Sequence, residues 1–215
     1  MPRLKVLVAC EYSGTVRDAF IAAGHDAMSC DLLPTEQPGP HYQGSVLDIL
    51  DQGWDLMIAH PPCTYLCSSG LHWNKKQPDR EAKTTAAVEF VRQLLAAPIP
   101  MIALENPVGR ISTAIRKADQ YIQPYQYGAD ASKKTGLWLI GLPLLEPTEY
   151  VEPRLIDGKS RWANQTDGGQ NRLPPSADRW KLRSTTYQGI ADAMAAQWGS
   201  IQPRQLGLFR ENRRA

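Results

Sequence analysis

Two short stretches carry the residue types that chemistry needs. His60-Pro61-Pro62-Cys63 ends an apolar run, Asp55-Leu-Met-Ile-Ala59. Two consecutive prolines impose a rigid extended turn, because each fixes φ and restricts the residue before it. Such a turn aims Cys63 over a strand end, where a thiol beside His60 can ionise and act as a nucleophile. Glu105-Asn106-Pro107 ends a second apolar run, Met101-Ile-Ala-Leu104, and sets a carboxylate at the next strand end. A carboxylate there serves a substrate attacked by Cys63, or it caps a turn or pairs with an arginine. Cys63 and Cys67 have the spacing of half a zinc site, but no second pair of ligands stands at a normal distance along the chain, so no metal is expected. Cys67 reads as a small hydrophobe.

A third group lies near the start. Leu4 to Cys10 is a short β-branched run, followed by the turn Glu11-Tyr12-Ser13-Gly14. Asp31 ends a second run, Ala27 to Cys30, and Asp48 follows a third strand end near Gly44. An acid at Asp31 suits a pair of ribose hydroxyls, and Asp48 suits a base edge. The alternative is that all of these residues close turns.

The elements that would position them alternate between strand and helix. Helical spacing covers Val16 to Ala23, stopped at Gly24, and Glu81 to Ala97, with Ala87, Phe90, Val91, Leu94 and Leu95 on one stripe. The stretch from Cys63 to Arg80 reads as a long loop, with Trp73, Asn74, Lys75 and Lys76 placed to close over a substrate. Strands are expected around Tyr121 to Tyr127 and Leu137 to Ile140, and a helix over Thr186 to Trp198 carrying Ile190, Met194 and Trp198. The segment 146–183 is rich in Pro, Gly, Asn, Gln and Arg and reads as an irregular extension. Gln202 to Ala215, with four arginines and one glutamate, reads as a flexible tail. The pattern is that of an α/β protein with a doubly wound sheet.

These residues, in this order, resemble the DNA cytosine-5 methyltransferases, most of all the short, phage-type members. Asp55 to Cys63 resembles the proline–proline–cysteine motif of that family, and Glu105-Asn106-Pro107 its Glu-Asn-Val motif. Gln126-Tyr-Gly128 through Lys133 and Lys134 to Leu137-Trp-Leu-Ile-Gly141 resembles its Tyr-Gly, Arg-x-Arg and Ile-Gly segment. Thr186-Tyr-Gln-Gly-Ile-Ala-Asp-Ala-Met resembles its C-terminal Gly-Asn-Ser helix. The likeness runs over most of residues 4–145 and again over 184–198.

The resemblance implies a Rossmann-like methyltransferase sheet with helices on both faces, over residues 1–145, and a small irregular C-terminal extension. Residues 146–183 would be a reduced target-recognition segment, 184–200 a helix returning to the core, and 201–215 a flexible tail. Cys63 is implied as the nucleophile that adds to cytosine C6, Glu105 as the group at N3 and the exocyclic amine, and Lys133 as the cation holding the base. Cys10, Glu11, Tyr12, Ser13, Gly14, Asp31, Asp48 and Pro61 are implied to hold S-adenosyl-L-methionine. Pro62, Asn106, Lys133, Arg161, Trp162 and Arg179 are implied at the substrate. Departures are that Gly14 is the one clear glycine of the cofactor turn, Thr64 follows the cysteine, and Lys133 and Thr135 replace paired arginines.

The expected reaction is methylation of cytosine C5 in DNA, whose base would be flipped out of a duplex. The short recognition segment leaves room for a separate target-recognition partner. It also leaves two alternatives, the same chemistry on free deoxycytidine nucleotides or a catalytically silent DNA- and cofactor-binding homologue. Basic residues interleaved with Trp162 and Trp180 suit phosphate contact and base stacking, or else the tryptophans pack the segment down and the cations face water.

Composition narrows the class without choosing the reaction. The chain has 215 residues, 42% hydrophobic and 21% charged, enough to bury a core and too apolar for global disorder. A net charge of +2 is too balanced to argue for nucleic acid by itself. No apolar run approaches a membrane span, and the first ten residues lack the stretch and cleavage site of a signal peptide, so a cytoplasmic protein is expected, with its four cysteines as thiols.

Overall fold

The computed structural model describes residues 3–177 and 179–201. The arginine-rich tail, from residue 202 on, lies outside the described residues. The architecture is α/β, built on a mixed and mostly parallel sheet of seven strands. Its strands are β1 (Lys5–Ala9), β2 (Asp26–Asp31), β3 (His41–Gln43), β4 (Leu56–Ala59), β5 (Met101–Pro107), β6 (Gln120–Ile122) and β7 (Thr135–Ile140). They lie in the order β3-β2-β1-β4-β5-β7-β6, with β7 antiparallel to both of its neighbours. The winding reverses between β1 and β4, which places a crevice at the carboxyl ends of those two strands.

The apolar runs become strands because both faces of the sheet are covered. Val6, Val8, Leu56, Ile58, Met101 and Ala103 face one layer, which holds helix α1 (Thr15–Ala22) and the C-terminal helix. Leu7, Ala9, Met57, Ala59, Ile102 and Leu104 face the other, which holds the long helix that follows β4. Between β4 and that helix, the stretch read as a long loop is a chain of short turns. It comprises a 3₁₀ turn at Cys63–Tyr65, helix α2 (Ser68–Leu71) and a second 3₁₀ turn at His72–Lys75. Units of three or four residues carry no apolar period, so sequence patterning cannot register them.

The long helix itself, α3, spans Arg80–Leu95 and buries Thr84, Val88, Val91 and Leu94. Ala87, Phe90 and Leu95, expected on its inner stripe, are half-buried at the margin of the same core. Helix α4 (Ile111–Ala114) follows β5. The strand expected over Tyr121 to Tyr127 ends at Ile122, because Pro124 opens a 3₁₀ turn that Gln123 and Gln126 cap reciprocally.

The extension after Leu145 is less irregular than its composition. Strands β8 (Arg154–Ile156) and β9 (Lys159–Arg161) form a hairpin around Asp157-Gly158, whose φ values of 49° and 72° are those of a tight mirror-image turn. Helix α5 (Arg179–Ser184) precedes α6 (Gln188–Trp198), which buries Ile190, Met194 and Trp198 against α1. No helix among the described residues is long and apolar enough to cross a membrane.

Candidate active site

Parallel pairing aligns Ala59 of β4 with Leu104 of β5, so His60, just beyond the end of β4, lies beside Glu105, which continues in β5 opposite Leu137 of β7. His60 Nδ1 lies 3.2 Å from Glu105 Oε2. The next residues are stitched together in the same way, since Asn106 Nδ2 donates to the Pro61 carbonyl at 2.7 Å. Pro61 and Asn106 are buried, Pro62 is exposed, and Cys63 stands exposed at the start of its 3₁₀ turn. Farther out, Ser68 N donates to Val108 O at 3.0 Å and Arg110 N to Leu66 O at 2.7 Å. Gly109 makes this approach feasible. A Cβ there would sit inside van der Waals contact of the Leu66 carbonyl and 2.8 Å from Cys67 Cα. The cysteine turn and the glutamate strand are therefore one structural unit.

The electrostatics of that unit follow from its neighbours. Burial raises the Glu105 carboxyl, but the His60 hydrogen bond, the Lys133 ammonium, the His60 charge and the Thr135 hydroxyl together hold it below the usual carboxylate range. Cys63 and Cys67 share a hydrogen bond. Donation to Cys67 and the nearby charges of Cys67 and Glu105 push the Cys63 thiol up, with Lys133 opposing. Acceptance from Cys63 pulls Cys67 down, against its burial, with help from the Ser69 hydroxyl and the Gly70 N–H. Ser69 Oγ lies 3.3 Å from Cys67 Sγ. The pair thus holds one negative charge more readily than either thiol would alone. Cys67, read from sequence as a small hydrophobe, is half-buried and hydrogen-bonded.

A narrow cleft, with a volume of about 10 Å³, runs from Glu105 past Lys133 and Thr135 to Thr186 and Tyr187. Lys133 Nζ donates to the Arg183 carbonyl of α5 at 2.9 Å. A wider polar cleft lies on the other side of the α6 N-terminus, among Ser13, Asp18, Glu36 and Gln188.

The residues expected at a cofactor fall into two sets. Cys10 ends β1 in the left-handed region at φ 59°, and Gly14 returns the chain to α1 at φ 79°. Glu11 closes this turn. Its Oε1 accepts from Val16 N at 2.7 Å and its Oε2 from Arg17 N at 3.2 Å, so the carboxylate caps α1. Ser13 Oγ donates to Glu11 Oε1 at 3.2 Å. Tyr12 is buried under α5, with its hydroxyl 2.8 Å from Ser184 Oγ and its ring centroid 6.0 Å from that of Trp180.

Asp31 and Asp48 form the second set, at the end of β2 and just beyond β3. Asp31 Oδ1 accepts from Leu33 N at 2.9 Å, and Asp48 Oδ2 lies 3.5 Å from the Tyr42 hydroxyl. Burial first, and then Asp31, push the Cys10 thiol up and that of Cys30 up to about 12, so both are inert. A half-buried carboxylate and an exposed one beside the crevice fit the hydroxyls and base of a nucleoside. The turn before them offers its backbone, because its side chains are already used.

Of the residues expected at a substrate, Asn106 and Pro62 join Cys63 and Glu105, and Lys133 lines the cleft. Arg161 does not reach that cleft. Its Nε donates to Asp167 O and its Nη1 to Ser160 O, both at 2.9 Å. Trp162 packs flat on Tyr125 with centroids 4.3 Å apart. Arg179 sits half-buried on α5, and Trp180 beside it is 52% exposed.

Sequence reasoning passed over two participants, Arg17 and Gly109, and read His60 only as the neighbour of the Cys63 thiol. Arg17 is fully buried and fixes the loop after β2, donating to Ser29, Thr35, Gln37 and Pro38. Gly109 could have been noticed two residues after Glu-Asn-Pro, and His60 was visible as the residue before the two prolines. Among the described residues, no cluster of three metal-ligating side chains occurs. No protein-family model and no curated protein matches this chain.

Proposed function

We propose that this protein is an S-adenosyl-L-methionine-dependent methyltransferase that modifies C5 of cytosine in DNA through a covalent bond from Cys63. The observation that carries the reading is the joining of the turn that bears Cys63 to Glu105 and Asn106 of β5 by the His60–Glu105 and Asn106–Pro61 hydrogen bonds. Cytosine C5 is a poor nucleophile, and it becomes a good one only when a thiolate adds at C6. A rigid cysteine turn beside a carboxylate can hold a pyrimidine between them, with Glu105 at N3 and the exocyclic amine. Lys133 faces the same cleft and favours the negatively charged form of both reacting groups.

The Rossmann-like reading of the sheet is supported by its reversal at β1 and β4, where open sheets bind nucleotides. Asp31 and Asp48 would hold the cofactor's nucleoside, with the backbone of Cys10 to Gly14 and Pro61 beside it. When bound, S-adenosyl-L-methionine supplies an electrophilic methyl group. Cys63 leaves as thiolate once the C5 proton is lost, restoring the 5,6 double bond.

One observation favours a second reading, the same chemistry on a free deoxycytidine nucleotide. Arg161 and Arg172 of the short extension bond to its own carbonyls, at Asp167 and Gln165, which leaves few cations for a duplex. The test is nucleoside mass spectrometry after incubation with S-adenosyl-L-methionine and duplex DNA, dCMP or dCTP. Methylated cytosine from the wild type and none from Cys63→Ala is the expected result. Product from Cys63→Ala would refute the covalent mechanism, and a preference for nucleotides would select the second reading.

A further inference from the structure

His60 is held from two sides. Its backbone N–H donates to Ala9 O at 2.9 Å, and its imidazole lies against Glu105, with the two side chains 9% and 17% exposed. An ionised carboxylate only accepts hydrogen bonds, so Nδ1 carries the proton in this contact. Nε2, on the far side of the ring, is buried and meets no hydrogen-bond partner among the described residues. Buried ring nitrogens are ordinarily satisfied, and an exception beside a reacting carboxylate points to a working group. The other groups acting on Glu105 are poor proton sources. Lys133 is an ammonium tied to the Arg183 carbonyl, and the Thr135 hydroxyl donates to Lys133 O at 3.1 Å. An imidazole alone among these three titrates ordinarily near neutrality.

We propose that His60 is the positioning residue that loads Glu105 with the proton it delivers to cytosine N3, an inference that rests on the reaction proposed above. As imidazolium, His60 gives its Nδ1 proton to Glu105 Oε2 and keeps the proton on Nε2. The Cys63 thiolate pair forms the S–C6 bond, and the C5=C6 pair moves to C4–C5. The C4=N3 pair then takes the Glu105 proton as an N3–H bond. The product is an enamine that is nucleophilic at C5, with Glu105 again a carboxylate and His60 neutral. When the adduct breaks down, the proton returns along the same path.

The charged group in contact with His60 is Glu105 on β5, and Lys133, before β7, acts on that same carboxylate. Because the cation is the loading form, the rate falls as pH rises and the imidazolium is lost. Ionisation of the thiol pair acts in the opposite sense, on the acid side.

The experiment compares kcat and KM against pH for the wild type, His60→Gln and Glu105→Gln, with duplex DNA and S-adenosyl-L-methionine. For His60→Gln, kcat is expected to fall about a hundredfold, the scale of one general acid–base contribution, with KM nearly unchanged and the alkaline limb lost. An unchanged profile and rate in His60→Gln, with an active wild type, overturns the proposal and leaves the reaction standing. A wild type inactive on every cytosine substrate overturns the reaction itself. Proton sharing is decided separately by ¹⁵N NMR of the four histidines, in the wild type and in Glu105→Gln. A His60 resonance protonated at Nδ1 that moves on Glu105→Gln is expected, and an identical spectrum overturns the sharing even if His60→Gln fails to fold.

Discussion

A thiol that attacks a pyrimidine must be rid of its proton first, and here Cys67 holds the charge of the thiol pair while Cys63 keeps its proton. The two sulfurs are one helical turn apart, with Cys67 N donating to Cys63 O at 2.9 Å. Hydrogen bonding to Cys63, with Ser69 and Gly70, lowers the Cys67 titration, so the pair stays singly ionised as pH falls below the usual thiol range. Reactivity toward iodoacetamide at pH 6.5 is therefore expected to be retained in the wild type. Cys67→Ala removes both the hydrogen bond and the charge that push the Cys63 thiol up, so the Cys63 alkylation rate at that pH should rise by about tenfold or more. Peptide mass spectrometry reads both sites, and an unaltered Cys63 rate would show that Cys67 plays no such part. The residues of this site were legible to different degrees. Cys63 and Glu105 stand out because a nucleophile and a carboxylate each end an apolar strand. His60 and Cys67 act through hydrogen bonds to them, and contacts between separate strand ends leave no trace in local spacing.

At the scale of elements, the site depends on how the turns after β4 and β5 lock. Gly109 lies where they touch, and its missing side chain allows the Arg110–Leu66 and Ser68–Val108 hydrogen bonds. The neighbours that a methyl group would meet are backbone atoms, which cannot swing aside. Gly109→Ala is expected to cost about 1–3 kcal/mol of stability, the range for overpacking, as a lower urea midpoint with unchanged slope. Turnover should fall further than stability, because the clash drives the cysteine turn away from Glu105. A variant with wild-type midpoint and activity would show that the two turns are not locked. These elements were legible, since β1, β4 and β5 are continuous apolar runs and α1 and α3 are long enough to show a helical period. Residues 63–79 were not, because turns held by contacts to residues 108–110 owe their shape to partners far along the chain. The β8–β9 hairpin shows the reverse failure, for Asp157-Gly158 is a local turn signal hidden by a composition that suggested irregular chain.

For the whole molecule, the question is where a polyanion would lie on a protein with a net charge of only +2. Composition is silent on this, because which cations are free depends on the folded chain. Arg161 and Arg172 are bonded to carbonyls of their own extension, Arg154 lies 3.5 Å from Asp167, and Lys181 lies 3.5 Å from Glu36. Helix α5 bridges the molecule, joined to the first strand's turn through Tyr12 and to the seventh strand's side through Lys133. It carries Arg179 and the exposed Arg183 beside the half-exposed Trp180, next to the cleft that ends at Glu105. Phosphates are thus expected along α5 and not along the hairpin. Each phosphate neutralised contributes about 0.9 to the slope of log affinity against log salt. Replacing Arg179 and Arg183 together with Gln should lower that slope by about 2 and weaken binding alike for all sequences. Arg161→Gln should leave the slope unchanged and loosen the hairpin, seen as faster amide exchange over residues 154–161. A slope that responds to Arg161 and ignores α5 would move the nucleic-acid path to the hairpin, away from the thiol it must reach.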